Sequence, residues 1–139
     1  MHKTSQKTLN EPVELKGVGL HNGISVNLLL KPSEVNTGIK FKRVDLDEDN
    51  IIDASYNNVT SPVLCTKIEN KNKISVSTIE HLMAAFYGEG IDNALIEIDA
   101  PEIPIMDGSS VDFVEAIRSA GIKDQKLDKK FIKVLKKVE

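Results

Sequence analysis

The residues best suited to chemistry are an adjacent glutamate and histidine, Glu80 and His81, in the segment STIEHLMAAFYGEG (77–90). Such a pair can serve metal-assisted hydrolysis, in which the imidazole binds a metal and the carboxylate accepts a proton from the attacking water. A catalytic zinc takes three protein ligands and leaves a fourth position for that water. Adjacent residues on a helix point about 100° apart, so the two side chains can take different roles.

Both residues also have ordinary structural explanations. Ser77-x-x-Glu80 has the form of a capping box, in which Glu80 accepts a hydrogen bond from the Ser77 N–H, and a structural histidine is commoner than a ligand. The apolar residues that share one face of the predicted helix are Ile79, Leu82, Met83 and Phe86. Glu80 and His81 lie on the opposite side. Ala84 and Gly88 lie between them, leaving a surface with room for a ligand.

The elements that must position this helix are predicted to be mainly β-strands. Apolar residues alternate on both sides of Asn22-Gly23 in VELKGVGLHNGISVNLLLKP (13–32). This pattern is typical of a hairpin with a type I′ turn, so two strands flank His21. Further strands are predicted at GIKFKRV (38–44), VLCTKIE (63–69), ISVS (74–77) and DNALIEID (92–99).

A second helix is predicted over SSVDFVEAIRSAG (109–121), with Ser109-x-x-Asp112 as a capping box and Gly121 just past its end. Strands with two separated helices indicate an α+β fold, a two-layer sandwich with a mostly antiparallel sheet. The lysine-rich end has no turn or stop signal. We therefore predict one domain over 1–128, and a linker or the start of a second domain over 129–139.

The composition excludes several classes of function. The 139 residues are 40% hydrophobic and 28% charged, as in a globular domain. Aromatic residues make up 4% and the net charge is −3, which argues against nucleic-acid binding. Cys65 is the single cysteine, which suits a reducing compartment. The sequence shows no secretory signal and no transmembrane segment, so we expect a cytoplasmic protein.

Five segments resemble the zinc-dependent UDP-3-O-acyl-N-acetylglucosamine deacetylases of lipid A biosynthesis, the LpxC family. They are GVGLHNG (17–23), NTGIKFKRVDL (36–46), VLCTKI (63–68), STIEHLMAAFYGEGIDNALIEIDAPEIPIMDGSS (77–110) and EAIRSAGI (115–122). The resemblance implies removal of the N-acetyl group from a UDP-linked acylated glucosamine, with one zinc per full-length enzyme. It also implies a duplicated fold of two related α+β sandwiches, with this chain as the N-terminal domain.

The resemblance further implies roles for particular residues. Glu80 corresponds to the general base of the family and His81 to one zinc ligand. The residues implied to border the metal or substrate are Leu64, Cys65, Thr66 and His21. The segment MDGSS, from Asp107 to Ser110, is interpreted as structural, forming a turn and a helix cap.

One part of the family pattern has no counterpart here. The other two zinc ligands follow the spacing His-x-x-x-Asp, but the residues four after the three histidines are Gln6, Ser25 and Ala85. We therefore expect weak or absent zinc binding and no normal turnover in this chain alone, because a missing C-terminal domain holds the other ligands.

Two alternatives remain open at this stage. One is a self-contained hydrolase that completes its zinc site with His21, Cys65 or a carboxylate. The other is a non-catalytic binding module that associates with a separate second half, or with itself through the exposed domain interface.

Overall fold

A computed structural model describes residues 4–60, 63–137 and 139. The strands in these residues are β1 (Ser5–Leu9), β2 (Val13–Val18), β3 (Ser25–Pro32), β4 (Ile39–Arg43), β5 (Ile51–Asp53), β6 (Lys67–Glu69), β7 (Ser75–Ser77), β8 (Ala94–Ile98) and β9 (Ile122–Asp128). The α-helices are α1 (Glu80–Glu89) and α2 (Val111–Ala120). Among the described residues, no helix has the length and apolar character needed to cross a bilayer.

The main sheet contains five strands in the order β2-β3-β8-β4-β5. Neighbouring strands are antiparallel except for β4 and β8, which run parallel. Alternate residues of β3, namely Val26, Leu28 and Leu30, are buried, as expected of a strand with one face against the core. The prediction of a mostly antiparallel sheet is confirmed.

The two helices share one apolar core with the sheet. Their buried residues are Leu82, Ala85 and Phe86 on α1, and Phe113, Ile117 and Ala120 on α2. Opposite these lie the buried residues of the sheet, Phe41 and Ile96 among them. Because a sheet and a layer of helices enclose the core, the predicted two-layer α+β sandwich is confirmed.

The hairpin around His21 forms, but its predicted turn is wrong. The Gly19 N–H donates to the Ile24 carbonyl (3.0 Å), and the Gly23 N–H donates to the Gly19 carbonyl (3.0 Å). Four residues, 20–23, therefore make the connection, and only Gly23 among them has positive φ (66°). A type I′ turn needs two such residues, so the Asn-Gly signal indicated a hairpin without indicating its length.

The pair β6–β7 confirms the predicted antiparallel strands, although β6 begins only at Lys67. Residues 63–66 form a loop instead of a strand. Leu64 has φ of 60°, in the left-handed region and outside the extended region that a paired strand needs, and its side chain is 89% exposed.

A further pair, β1–β9, is absent from the predictions because both segments are polar. A buried amide holds it in place. Asn93 is 1% exposed and donates to the side chains of Gln6 (2.9 Å) and Gln125 (2.7 Å), one from each strand. Such satisfied buried amides fix a register without an apolar signal. The described residues after β9, 129–137, contain no helix or strand, and the boundary at 128 stays a prediction.

Candidate functional site

Helix α1 begins at Glu80, and its first turn differs from the predicted capping box. Ile79 is the N-cap residue and makes no side-chain cap bond. The Ser77 N–H donates to the Pro101 carbonyl (2.9 Å), and Ser77 itself ends strand β7. The capping box is therefore wrong, because tertiary partners take both of its groups. The predicted faces of the helix are confirmed for four residues: Leu82 and Phe86 are buried, and Ala84 and Gly88 are exposed.

The Glu80 carboxylate is held by the loop before β6. Its Oε2 atom accepts a hydrogen bond from the Thr66 N–H (3.1 Å), and the Thr66 carbonyl accepts one from the Ile79 N–H (3.3 Å). The structure thus brings Thr66 against Glu80, whereas Leu64 lies exposed and Cys65 is a half-buried free thiol. The Thr66 backbone thus bonds both to the Glu80 side chain and to the Ile79 N–H, and these two hydrogen bonds fix the Glu80 carboxylate relative to the start of α1.

His81 follows Glu80 with a half-buried side chain. Its backbone carbonyl accepts a hydrogen bond from Ser110 Oγ (2.9 Å), and Ser110 is the N-cap residue of α2. This contact ties the first turn of α1 to the start of α2. Sequence reasoning did not predict this partner for Ser110, because the two residues are 29 positions apart in the chain.

The segment before α2 forms the predicted turn, and Ser109 caps the start of the helix in a different way from the predicted capping box. The Asp107 carboxylate accepts hydrogen bonds from Ser109 Oγ (2.7 Å) and Ser109 N (2.8 Å), which lower the pKa of Asp107. The Ser109 N–H thus bonds to Asp107 and not to Asp112, while Ser109 Oγ accepts a hydrogen bond from the Val111 N–H (3.1 Å), so the reciprocal Ser109-x-x-Asp112 capping box is wrong. Helix α2 ends at Ala120, which confirms the position predicted for Gly121.

Thr78 precedes the helix in an unusual conformation. Its φ is 58°, in the left-handed region that a β-branched residue rarely adopts, and its side chain is buried. Thr78 Oγ1 donates a hydrogen bond to Oε1 of Glu102 (2.8 Å). Strained residues of this kind persist where surrounding contacts hold them and are common at functional sites.

Glu102 connects this helix start to the hairpin loop. Oε1 of its carboxylate lies 2.7 Å from Nδ1 of His21, and its oxygens also accept hydrogen bonds from the backbone N–H groups of His21 (3.1 Å) and Asn22 (3.1 Å). Burial of Glu102 acts to raise its pKa, but the bonds from His21, Thr78 and Asn22 outweigh this and leave the pKa below its ordinary value.

Sequence reasoning missed both Glu102 and Thr78. The signal that could have pointed to Glu102 is its place in APEIPI, where it is the single charged residue between apolar neighbours. Ile103, next to it, is fully buried. A carboxylate on such a segment must be buried with it, and a buried carboxylate needs hydrogen-bond donors.

A complete metal site is not present in the described part of the chain. No group of three or more His, Cys, Asp or Glu side chains is arranged there to hold a metal ion. Among these residues, neither His21 nor Cys65 forms such a group with His81. The alternative of a self-contained zinc hydrolase gains no support from this geometry.

The fold and the site define an α+β sandwich domain with a carboxylate and an imidazole at the start of a helix. The chain belongs to the LpxC family, described as UDP-3-O-acyl N-acetylglycosamine deacetylase, whose model matches residues 6–139. This family membership confirms the resemblance of the sequence segments.

Similar curated proteins carry the same description. The chain is 50% identical over 133 residues to a UDP-3-O-acyl-N-acetylglucosamine deacetylase of Shewanella pealeana, covering 96% of this chain and 44% of that protein. It is 52% identical over 129 residues to the protein of the same name from Idiomarina loihiensis, covering 93% and 42%. The chain therefore spans less than half the length of these relatives.

Proposed function

We propose that this chain is the N-terminal half of a zinc-dependent deacetylase that removes the N-acetyl group from UDP-3-O-acyl-N-acetylglucosamine in lipid A biosynthesis, in the cytoplasm. The observation that carries the proposal is the Glu80–His81 pair, with the Glu80 carboxylate held by the Thr66 N–H (3.1 Å). The names of the relatives and the share of their length that is matched support it.

Glu80 acts as general base in this proposal. Its Oε2 atom is held by Thr66, so the orientation of the carboxylate is set before a substrate arrives. The other oxygen is then free to accept the proton of a water as that water attacks the acetyl carbonyl carbon. A general base fixed in this way avoids the cost of ordering itself during the reaction.

His81 supplies one zinc ligand, and the remaining ligands come from outside this chain. A bound zinc in such enzymes polarises the carbonyl and lowers the pKa of the attacking water. The bond from Ser110 to the His81 carbonyl (2.9 Å) restrains the backbone that carries the imidazole. Leu64, Cys65, Thr66 and His21 border the substrate. The isolated chain is inactive because one imidazole does not hold zinc tightly.

Zinc content tests the split site directly. The purified chain and its His81→Ala variant are dialysed against micromolar zinc, and bound metal is measured. We expect near-zero zinc in both. One zinc per chain, lost in the variant, would contradict the split site and require ligands within this chain.

Activity is tested by joining this chain to the part of the Shewanella pealeana protein that it does not cover. We expect the hybrid to bind zinc and to release acetate from UDP-3-O-acyl-N-acetylglucosamine. Glu80→Gln should lower kcat by about 10²- to 10⁴-fold with zinc content unchanged. The control is Glu115→Gln, an exposed glutamate on α2. Full activity of the Glu80→Gln hybrid would overturn the assignment of the base.

A second candidate is a binding module that associates with a separate half. The observation that favours it is a set of exposed apolar side chains on loops around the site: Leu20 (59% exposed), Ile24 (48%) and Leu64 (89%). Sedimentation velocity over a range of concentrations distinguishes this candidate, because a module of this kind self-associates through these side chains.

A further inference from the structure

Glu102 is a carboxylate that the proposed reaction does not use, yet it is almost completely buried. Its side chain is 2% exposed. Burying a charge without partners is strongly unfavourable, so a chain retains such a group only where donors surround it. Here the donors come from two separate segments: His21 and Asn22 in the hairpin loop, and Thr78 before α1.

The backbone of residues 101–105 is fixed on both sides. On one side, the Ser77 N–H donates to the Pro101 carbonyl (2.9 Å) and the Ile103 N–H donates to the Ser77 carbonyl (3.1 Å). On the other side, the Ile105 N–H donates to the Val18 carbonyl (3.0 Å). These backbone hydrogen bonds place Glu102 between the end of β7 and the hairpin. They do so without any contact from the Glu102 side chain.

The hairpin loop is shaped to admit this carboxylate. A Cβ atom placed on Gly19 would lie 2.6 Å from Glu102 Oε2 and 2.2 Å from Asn22 Oδ1, both closer than real Cβ contacts. Only glycine leaves the space in which the carboxylate meets the loop N–H groups. The Glu102 carboxylate thus fits against the loop N–H groups, Thr78 and Gly19. Close packing against all three indicates a specific arrangement and not a chance surface contact.

The two carboxylate oxygens have different partners. Oε1 accepts from His21 Nδ1 (2.7 Å) and Thr78 Oγ1 (2.8 Å), and Oε2 accepts from the Asn22 N–H (3.1 Å). The backbone N–H of His21 donates to both oxygens (3.1 Å to Oε1 and 3.2 Å to Oε2). An ionised carboxylate has no proton to give, so Nδ1 must be the donor. Neutral His21 then carries its lone pair on Nε2, and in the described part of the chain both hydrogen bonds of its ring are made by Nδ1.

We infer that Glu102 is a positioning residue that fixes His21 in the Nδ1–H tautomer, so that Nε2 is the ring atom that meets the substrate. Glu102 also restrains Thr78, two residues before Glu80, and therefore sets the imidazole of His21 relative to the helix that carries Glu80 and His81. The role in substrate contact rests on the proposed function; the tautomer does not.

The tautomer is measured on this chain by two-bond proton–nitrogen correlation spectra of the neutral His21 ring, which separate a protonated from an unprotonated ring nitrogen. We expect Nδ1 to be protonated. Glu102→Ala removes both carboxylate oxygens, so Nδ1 loses its acceptor. This variant should therefore shift His21 towards the Nε2–H tautomer, which an unrestrained neutral imidazole side chain favours.

The matched control is Glu97→Ala, since Glu97 pairs with Lys31 (3.1 Å) away from this cluster. It should leave the His21 tautomer unchanged. An Nε2–H tautomer in the unaltered chain would overturn the inference, as would a folded Glu102→Ala chain that keeps Nδ1–H. Should Glu102→Ala fail to fold, the spectrum of the unaltered chain still decides.

The active hybrid tests the functional part. His21→Ala and Glu102→Ala should each lower kcat/KM by about 10- to 100-fold, the range found for groups that orient a functional histidine. The double variant should be no worse than His21→Ala alone, because both changes remove one function. If the losses in kcat/KM of the two single variants add in the double variant, Glu102 does not act through His21 and the inference is wrong. A hybrid that is inactive with native Glu80 would instead count against the proposed function and leave the tautomer result standing.

Discussion

Nδ1 of His21 lies 2.7 Å from Oε1 of Glu102, a carboxylate with 2% of its side chain exposed. One residue belongs to the loop between β2 and β3, and the other to the segment that follows β8. Their contact joins two elements at the end of the sheet where helix α1 begins, through the shared partner Thr78.

The first prediction concerns the dependence of stability on pH. The pKa of Glu102 is below its ordinary value of 4.5 in the folded chain. A depressed pKa contributes stability at pH values above about 4.5 that is lost as the pH falls through the folded pKa. Glu102→Gln should lower the free energy of unfolding at pH 7 by about 1–3 kcal/mol, because buried donors lose an acceptor.

Urea unfolding at pH 7 and at stepwise lower pH measures this effect. The gap between Glu102→Gln and the unaltered chain should narrow below pH 4.5, and Glu97→Gln should show a smaller gap throughout. A gap that stays constant with pH would contradict the low pKa of Glu102. Asp45, whose pKa is also lowered by its hydrogen bond to Arg43, is present in every variant and cancels in the comparison.

A second prediction compares two glycines. Gly19→Ala should destabilise the chain by about 1–3 kcal/mol, because its Cβ would overlap the Glu102 and Asn22 side chains. Gly88→Ala is the matched control: Gly88 lies within α1 with open space around it, and alanine there should stabilise by about 0.5–1 kcal/mol. Thermal unfolding gives both values. Equal effects of the two changes would show that the space near Glu102 is not limiting.

A third prediction concerns the link between the two helices. Ser110→Ala removes the bond to the His81 carbonyl (2.9 Å) and should cost about 1 kcal/mol. In the hybrid enzyme it should also weaken zinc retention against a chelator. Ser119→Ala is the control, because Ser119 makes a local bond to the Ala116 carbonyl (2.8 Å) on the exposed side of α2. Unchanged zinc retention in Ser110→Ala would mean that this bond does not restrain the ligand.

A fourth prediction concerns association. Leu20 and Leu64 are exposed large apolar residues (59% and 89%) on the loops that border the site. Sedimentation velocity over a range of concentrations should show self-association, and the double change Leu20→Ser with Leu64→Asn should reduce it. Asparagine suits position 64 because the backbone there has φ of 60°. Leu127→Ser is the control, because Leu127 is an exposed apolar residue on β9, outside these loops. A strict monomer would contradict the prediction.

Local sequence patterns were sufficient for most of the fold. Alternation predicted β3 and β8, and helical spacing predicted the buried face of α1, because both patterns express burial within a single element. The strands β1 and β9 were not predictable in this way. Polar side chains on β1 and β9 contact Asn93, and a contact between distant residues leaves no periodic trace.

The candidate site likewise combines features that local sequence patterns predict with features that depend on contacts between distant residues. Glu80 and His81 could be proposed as a site because they are adjacent, but the hydrogen bonds of Glu80 were assigned to the wrong partner. A capping box is a local solution, and here Thr66 provides a tertiary one. The contacts of Glu102 and the positive φ of Thr78 were not predicted. Both arise only where the hairpin, the end of β7 and the segment after β8 come together in the fold.

The bonds of Glu102 join residues that are 81 and 24 positions apart in the chain. Contacts of such separation form late in folding, since the entropy of closing the intervening loops must be overcome first. A chain with α1 already helical but the sheet unfinished therefore has Glu80 and His81 in place without an oriented His21. The orientation of His21 relative to Glu80 and His81 therefore depends on the completed fold. It should be lost in the same transition as the global structure.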